Sequence, residues 1–297
     1  MSSEIVHAPL TVQPPVTGTE PQADTDDGLI ALWLHGRSAE TQRAYRADAD
    51  AFLAFIAQPL NAVSLADLQA YADSLEARLE PATRHRRLSA VKSLFAFGHR
   101  LGCLRFDVAR PLRLPVLRDR LAERILSEAE VQRMLAHERH PRNLGLLYLL
   151  YASGVRVSEC CSIRWRDTQG RAEGGGQVTV LGKGGKTNTI LLPASVWHCV
   201  SALRGQAGPD APVFRSRNGK HLHPTQVRRV VRAAARRAGI DKAVSPHWLR
   251  HCHGSHALDR GAPIHLVQAT LGHASVATTG RYLHARPTDS SSKYLSL

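Results

Sequence analysis

The sequence predicts a mainly α-helical protein in two domains, with one small antiparallel β-sheet in the second. Three observations predict it. A chain of 297 residues is long enough for two separate cores, and 22% charged with 43% hydrophobic residues is a globular balance. From residue 28 to about 115, apolar residues recur at helical spacing rather than alternating. Two β-branched runs, 177–181 and 186–192, flank Gly182-Lys183-Gly184-Gly185 and read as a hairpin.

The elements follow in order. Residues 1–27 have no hydrophobic period; they carry Pro9, Pro14, Pro15, Pro21 and five acids but no Lys or Arg, the composition of a disordered acidic tail. Net charge over the whole chain is +14, so the part beyond the tail is more basic by five charges. A surface that basic calls for a polyanion, and nucleic acid is the first candidate.

Residues 28–110 read as a helical domain. Ser38 is placed to cap a helix whose Tyr45, Ala49, Phe52, Leu53 and Ile56 share one face. Ser64 and Asp67 open a second, with Leu68, Tyr71, Ala72 and Leu75 inward. Pro81 opens a third, which buries Leu88, Val91 and Phe95 and stops at Gly102. Arg84, Arg86, Arg87 and Lys92 crowd its first half, a basic edge expected to lie along a DNA groove. Residues 111–126, with Pro111, Pro115 and mixed charge, read as a linker.

The second domain, residues 127–287, opens on a capping box, Ser127 and Glu130. Residues 144–151 form an apolar helix that Gly154 ends, and Ser158 is expected to cap the next one. Arg156 thus sits in a tight turn, with Glu159 three residues on. Glycines on both sides of Lys183 place its ammonium at the hairpin tip. The G-x-x-x-x-G-K-[ST] signature is absent, so the loop is not a P-loop. In the helix that Gly239 ends, Val227, Val230, Val231 and Ala234 form the buried stripe. Arg228, Arg232 and Arg236 lie four apart on another face, with Arg229 and Arg237 beside them. Like charges at that spacing repel by a few tenths of a kcal/mol per pair, roughly, so the arrangement favours a bound polyanion. Residues 288–297 are a short Ser-rich tail.

The chemistry concentrates in residues 245–283. His247 and Arg250 are three apart and share a helix face; His273 follows in L-G-H, then Tyr282. A fixed cation, imidazoles and a phenol are what transfer of a phosphodiester onto tyrosine requires. The run H-x-L-R-H, L-G-H, T-T-x-x-Y (Thr278, Thr279, Tyr282) resembles the tyrosine recombinase (phage integrase) family, in its Xer-like branch. The A-S-G-x-R-x-S-E motif around Arg156 is similar to that family's first-arginine motif. Ser38, Thr41 and Tyr45 resemble the opening of its core-binding domain.

The resemblance implies an N-terminal SAM-like core-binding domain and an α+β catalytic domain. It implies attack by Tyr282 to give a 3′-phosphotyrosine, and exchange through a Holliday junction. Arg156 and Arg250 would take the non-bridging oxygens, and Lys183 would protonate the leaving oxygen. His247 would exchange the phenol's proton, His273 would bind the phosphate, and Glu159 would orient its neighbours. The implied partners are double-stranded DNA with specific sites and three further copies of the chain in a homotetramer. No cofactor and no metal is implied, since covalent storage conserves the bond energy. Integration, excision, dimer resolution and transposition, including service to a mobile element, would use the same residues.

Two positions depart from the family. Asn188 stands where relatives commonly carry Arg, implying one fewer basic contact, and His253 stands where a large apolar residue is usual. A type IB topoisomerase or an inactive DNA-binding relative would share much of the pattern. The six catalytic residue types argue against the second, and the motif spacing with the N-terminal helical domain argues against the first. Zinc held by His247, His251, His253, His256 and Cys252 is disfavoured, because no H-E-x-x-H glutamate is present and Arg250 would set a cation beside the metal. His251 and His256 read as structural. Tyr294 lies outside the tyrosine frame. Five cysteines without CxxC spacing suit the reduced thiols of a cytoplasm, and no apolar run approaches a membrane span.

Overall fold

A computed structural model of the chain describes residues 23–182 and 185–285. The expectations for residues 1–22, Lys183, Tyr294 and the tail at 288–297 fall outside the described residues. The chain divides into two compact units at Arg118, within the stretch expected as a linker.

The first unit is helical. α1 (Asp26–Leu34) starts where the Thr25 hydroxyl accepts from the Gly28 N–H at 3.0 Å. Asp26 and Asp27, assigned to the acidic tail from composition, are its first turn, where carboxylates suit the positive end of a helix dipole. α2 (Ala39–Ile56), α3 (Leu65–Glu76) and α4 (Pro81–Arg100) begin at Ser38, Ser64 and Pro81, as read from the sequence. Their core is aromatic: Phe52 lies edge-on to Tyr71 at 5.0 Å and to Phe95 at 6.0 Å.

The basic run of α4 departs from the expectation of a free edge, because its charges are spent inside the unit. Arg84 pairs with Glu76 at 2.6 Å, and Arg86 and Arg87 both face the buried carboxylate of Asp48. Lys92 is the most fully engaged. Its ammonium donates to the carbonyls of Ala109, Arg110 and Leu112 at 2.8, 2.7 and 2.6 Å, tying down the chain beyond α4.

The second unit opens with α5 (Glu128–Ala136), whose Ser127–Glu130 capping box closes at 3.1 and 2.7 Å. α6 (Pro141–Ser153) is buried along most of its length and ends at Gly154, φ +60°. A Cβ there would meet Leu271 at 2.6 Å, so glycine is required by conformation and by space. α7 (Val157–Ser162) follows. Its cap is Arg156 rather than Ser158: the Glu159 carboxylate reaches back to accept from the Arg156 N–H at 2.8 Å, which starts the helix two positions early.

The sheet has three antiparallel strands in the order β1 (Thr168–Gly170), β2 (Gly176–Leu181), β3 (Thr187–Leu192), with Val178 opposite Ile190. α8 (Ala194–Ser201) and α9 (Pro224–Arg237) follow. α10 (Pro246–Asp259) is the hub, packing against α5, α6, α9, α11 (Ile264–Leu271) and α12 (Val276–Ala285). Among the described residues no helix is long and apolar enough to cross a membrane, and the five cysteines are free thiols.

Candidate active site

The end of α6, the start of α7, one face of α10 and the α11–α12 corner place Arg156, Glu159, His247, Arg250, His273 and Tyr282 in one region of the second unit. The Gly154 turn delivers Arg156 to a cleft of about 540 Å³. Arg156, Glu159, Lys186, Asn188, Gly272 and His273 are among the residues that line it. The Arg156 guanidinium donates to the Glu159 carboxylate at 2.7 Å and to the Gly272 carbonyl at 3.5 Å. Glu159 thereby holds both the backbone and the side chain of Arg156. Orientation is what its geometry offers.

Arg250 is 3% exposed, and its fork is anchored by the carbonyls of Gly154, at 2.6 Å, and Leu271. Burial first, then the like charge of Arg156, pull its pKa down to about 10, so it stays cationic at neutral pH. Two guanidiniums close enough to repel each other form a site for an anion.

α11 ends at Gly272, φ +62°, which turns the chain so that His273 follows. The His273 Nδ1 lies 2.9 Å from the hydroxyl of fully buried Thr279. When Thr279 donates to Nδ1, the neutral ring carries its proton on Nε2, ready to donate to a phosphate oxygen. Burial and the charges of Arg250 and Arg156 hold the His273 pKa down to about 4.

Tyr282 lies on α12, 4% exposed, its ring parallel to His273 at 6.3 Å. It packs so tightly on α10 that a Cβ on Gly254 would fall 2.8 Å from its ring. Arg281, beside it, is held by Asp119 through two hydrogen bonds of 3.1 and 2.8 Å. Burial raises the pKa of the Tyr282 phenol, with Arg250 and Arg281 opposing, so the hydroxyl keeps its proton at neutral pH.

The phenol's own hydrogen-bond partner is a histidine that the sequence did not single out. His251, read as structural, has Nδ1 3.0 Å from the Tyr282 oxygen. His247, expected to exchange the phenol's proton, packs edge-on to His251 with ring centroids 4.2 Å apart. Its pKa is lowered by partial burial and then by Arg250. A helical wheel puts His247 and His251 on one face, but their order relative to Tyr282 depends on how α10 packs on α12. Among the described residues no three His, Cys, Asp or Glu converge as a metal would require. His256 instead joins the Tyr151 hydroxyl at 2.8 Å to the Leu126 carbonyl at 2.9 Å.

Asn188, the departure on β3, also has a task. Its amide donates to the carbonyls of Ala269 and Thr270 at 3.2 and 2.9 Å, stapling the hairpin to the end of α11. The arginine ladder of α9 is exposed, and among the described residues Arg228, Arg229, Arg232 and Arg236 enter no ion pair, whereas Arg237 pairs with Glu138.

Comparison with known proteins agrees with this geometry. Residues 120–289 match the phage integrase family, and residues 29–102 match the phage integrase N-terminal SAM-like domain. Tyrosine recombinase XerC of Rhodospirillum centenum is 35% identical over 296 residues, covering 90% of this chain and 85% of its own. XerC of Xanthomonas campestris is 35% identical over 289 residues, covering 91% and 88%. Among solved structures, a lambda integrase dimer bound to a COC' core site shares the fold at TM-score 0.72. It is 17% identical and covers 90% of this chain and 79% of that one. XerH bound to its difH substrate shares it at 0.62, 21% identical, covering 75% and 68%.

Proposed function

The chain belongs to the phage integrase family and is a tyrosine-type site-specific DNA recombinase, and from that premise we propose how its own residues carry the reaction. Tyr282 attacks a scissile DNA phosphate, forming an Oη–P bond as the bond to the 5′ oxygen breaks, and leaves a 3′-phosphotyrosine. Arg156 and Arg250 hold the non-bridging oxygens, where charge grows in the pentacoordinate state. His273 donates a further hydrogen bond through Nε2, and His247 adds one at the mouth of the site. Glu159 orients Arg156. Lys183 protonates the leaving oxygen, and Asn188 helps fix the hairpin strand β3. Neither a type IB topoisomerase nor an inactive binder is favoured.

Two copies on each of two double-stranded DNA sites, four in all, exchange strands through a Holliday junction. The exposed ladder of Arg228, Arg232 and Arg236 lies along the DNA backbone, and the protein works in the cytoplasm. One observation supports the whole reading best: the buried phenol of Tyr282 stacks on His273 and feels the charge of Arg250.

The test uses random-sequence duplex fragments carrying single nicks, which trap a covalent adduct when the strand beyond the cut diffuses away. Wild type is expected to become covalently joined to a subset of fragments, and Tyr282→Phe to none. Adducts that survive in Tyr282→Phe would remove Tyr282 as the nucleophile. Plasmid relaxation without any preferred site would return the topoisomerase reading.

A further inference from the structure

We propose that His251 is the base that takes the Tyr282 proton during strand cleavage and returns it during rejoining. The proposal deepens the reading of Tyr282 as the nucleophile and rests on it. Three observations point there. The His251 Nδ1 lies 3.0 Å from the phenolic oxygen, within reach for direct transfer. The rings are 5.8 Å apart and tilted at 56°, so the contact is a directed hydrogen bond rather than a stack. Tyr282 is 4% exposed, which leaves bulk water poor access to its hydroxyl.

The proton balance is simple. As Oη bonds to phosphorus, its proton moves to Nδ1, and His251, neutral with its own proton on Nε2, becomes imidazolium. The 5′ oxygen that departs takes a proton from the general acid, assigned above to Lys183. In rejoining, the 5′ hydroxyl attacks, and His251 hands its proton back to the departing phenolate. Each half-reaction begins and ends with the same number of protons on the protein and DNA together.

The surroundings of His251 give this base a condition. On α10 it faces His247 and Arg250, from the 122–124 turn it faces Arg124, and from α12 Arg281 and Tyr282. Burial, then His247 and these guanidiniums, hold its pKa down to about 3 without DNA, so Nδ1 is unprotonated and able to accept. A phosphate arriving between the arginines brings negative charge and raises that basicity. His251 therefore strengthens as a base when DNA is bound, and the phenol keeps its proton until then.

The experiment compares wild type, His251→Ala, His251→Asn and Tyr282→Phe on the nicked fragments that wild type captures. Its readout is the first-order rate of adduct formation from about pH 6.5 to about pH 9.5, at saturating protein. Wild type should run flat above about pH 7. Both His251 variants should be slower by about 100-fold or more near pH 7. Their rates should then climb about tenfold per pH unit, because the phenol must ionise before it attacks. Asparagine keeps a polar acceptor near the Nδ1 position without being a base, so it preserves packing while losing the flat profile. A loss equal at every pH, or no loss, in both variants would overturn the proposal and leave His251 as packing. Adducts persisting in Tyr282→Phe would instead overturn the nucleophile assignment beneath it.

Discussion

Arg250 shows how a single side chain can serve both the core and the chemistry. Its planar fork satisfies the carbonyls of Gly154 and Leu271 and keeps its charge beside Arg156. Lysine offers a point charge on a flexible stem and cannot span both carbonyls in that plane. Arg250→Lys is therefore expected to cost about 1–3 kcal/mol in urea unfolding and to cut the rate of adduct formation at least about tenfold. The imidazoles make a second prediction. His251 and His273 titrate at about 3 and about 4 in the folded chain, against an ordinary value of about 6.5. Between about pH 6.5 and about pH 4 the unfolded chain binds protons that the folded chain refuses, so stability falls as pH drops through that window. Urea midpoints measured across it should decline, and the decline should be shallower in a His251→Asn/His273→Asn double variant; equal slopes would rule out these two rings as its source. Arg156, His247, Arg250, His273 and Tyr282 could be singled out as candidates because each stands inside a short motif. His251 closes one of those motifs, yet its contact with Tyr282 could not be read there. Its partner lies 31 residues away, and only the packing of α12 on α10 reveals the contact.

At the scale of elements, the sequence marked starts and stops better than short strands. Ser38, Ser64 and Ser127 accept from backbone N–H groups at the helix starts read from them. β1 escaped because its three residues, Thr168 to Gly170, are half-buried or exposed and carry no apolar alternation. Ser158 was the expected cap of α7, but the reach of Glu159 back to Arg156 moved the start, a side-chain geometry that a preference for serine does not encode. Gly154 was legible as a stop, while its second duty, close packing against Leu271 and His253, was not. Gly154→Ala would force a Cβ into left-handed backbone, at about 1–2 kcal/mol, and into those neighbours besides. It is expected to lower the urea midpoint and to shift the carbonyl that anchors Arg250, so adduct formation should fall further than the lost stability explains. Asn188→Ala should act differently, freeing the hairpin from α11 and slowing cleavage while leaving the unfolding midpoint nearly unchanged. A large loss of stability there would mean that the staple serves the fold instead.

Over the whole molecule, net charge points to a polyanion but does not say which arginines meet it. The run on α4 and the ladder on α9 are equally basic as sequence, and the structure separates them. Arg86 and Arg87 neutralise Asp48, which is 2% exposed, and Lys92 serves three carbonyls. Arg228, Arg232 and Arg236 are exposed and enter no ion pair among the described residues, which leaves them repelling one another at helical spacing. Their cost is offset when phosphates lie along them, and each neutralised phosphate then releases condensed counterions. Binding of long duplex DNA measured against salt should therefore follow a steep log–log line. Replacing the three ladder arginines by glutamine should reduce its slope by about 0.9 for each phosphate the helix no longer neutralises, between two and three in all, roughly, with the urea midpoint unchanged or slightly raised. Lys92→Ala should do the reverse, stripping three carbonyls of their donor and lowering stability while the slope stays put. If the Lys92 variant flattened the salt dependence and the ladder variant did not, the DNA would have to run along α4, and the ion pairs at Asp48 would have to open to receive it.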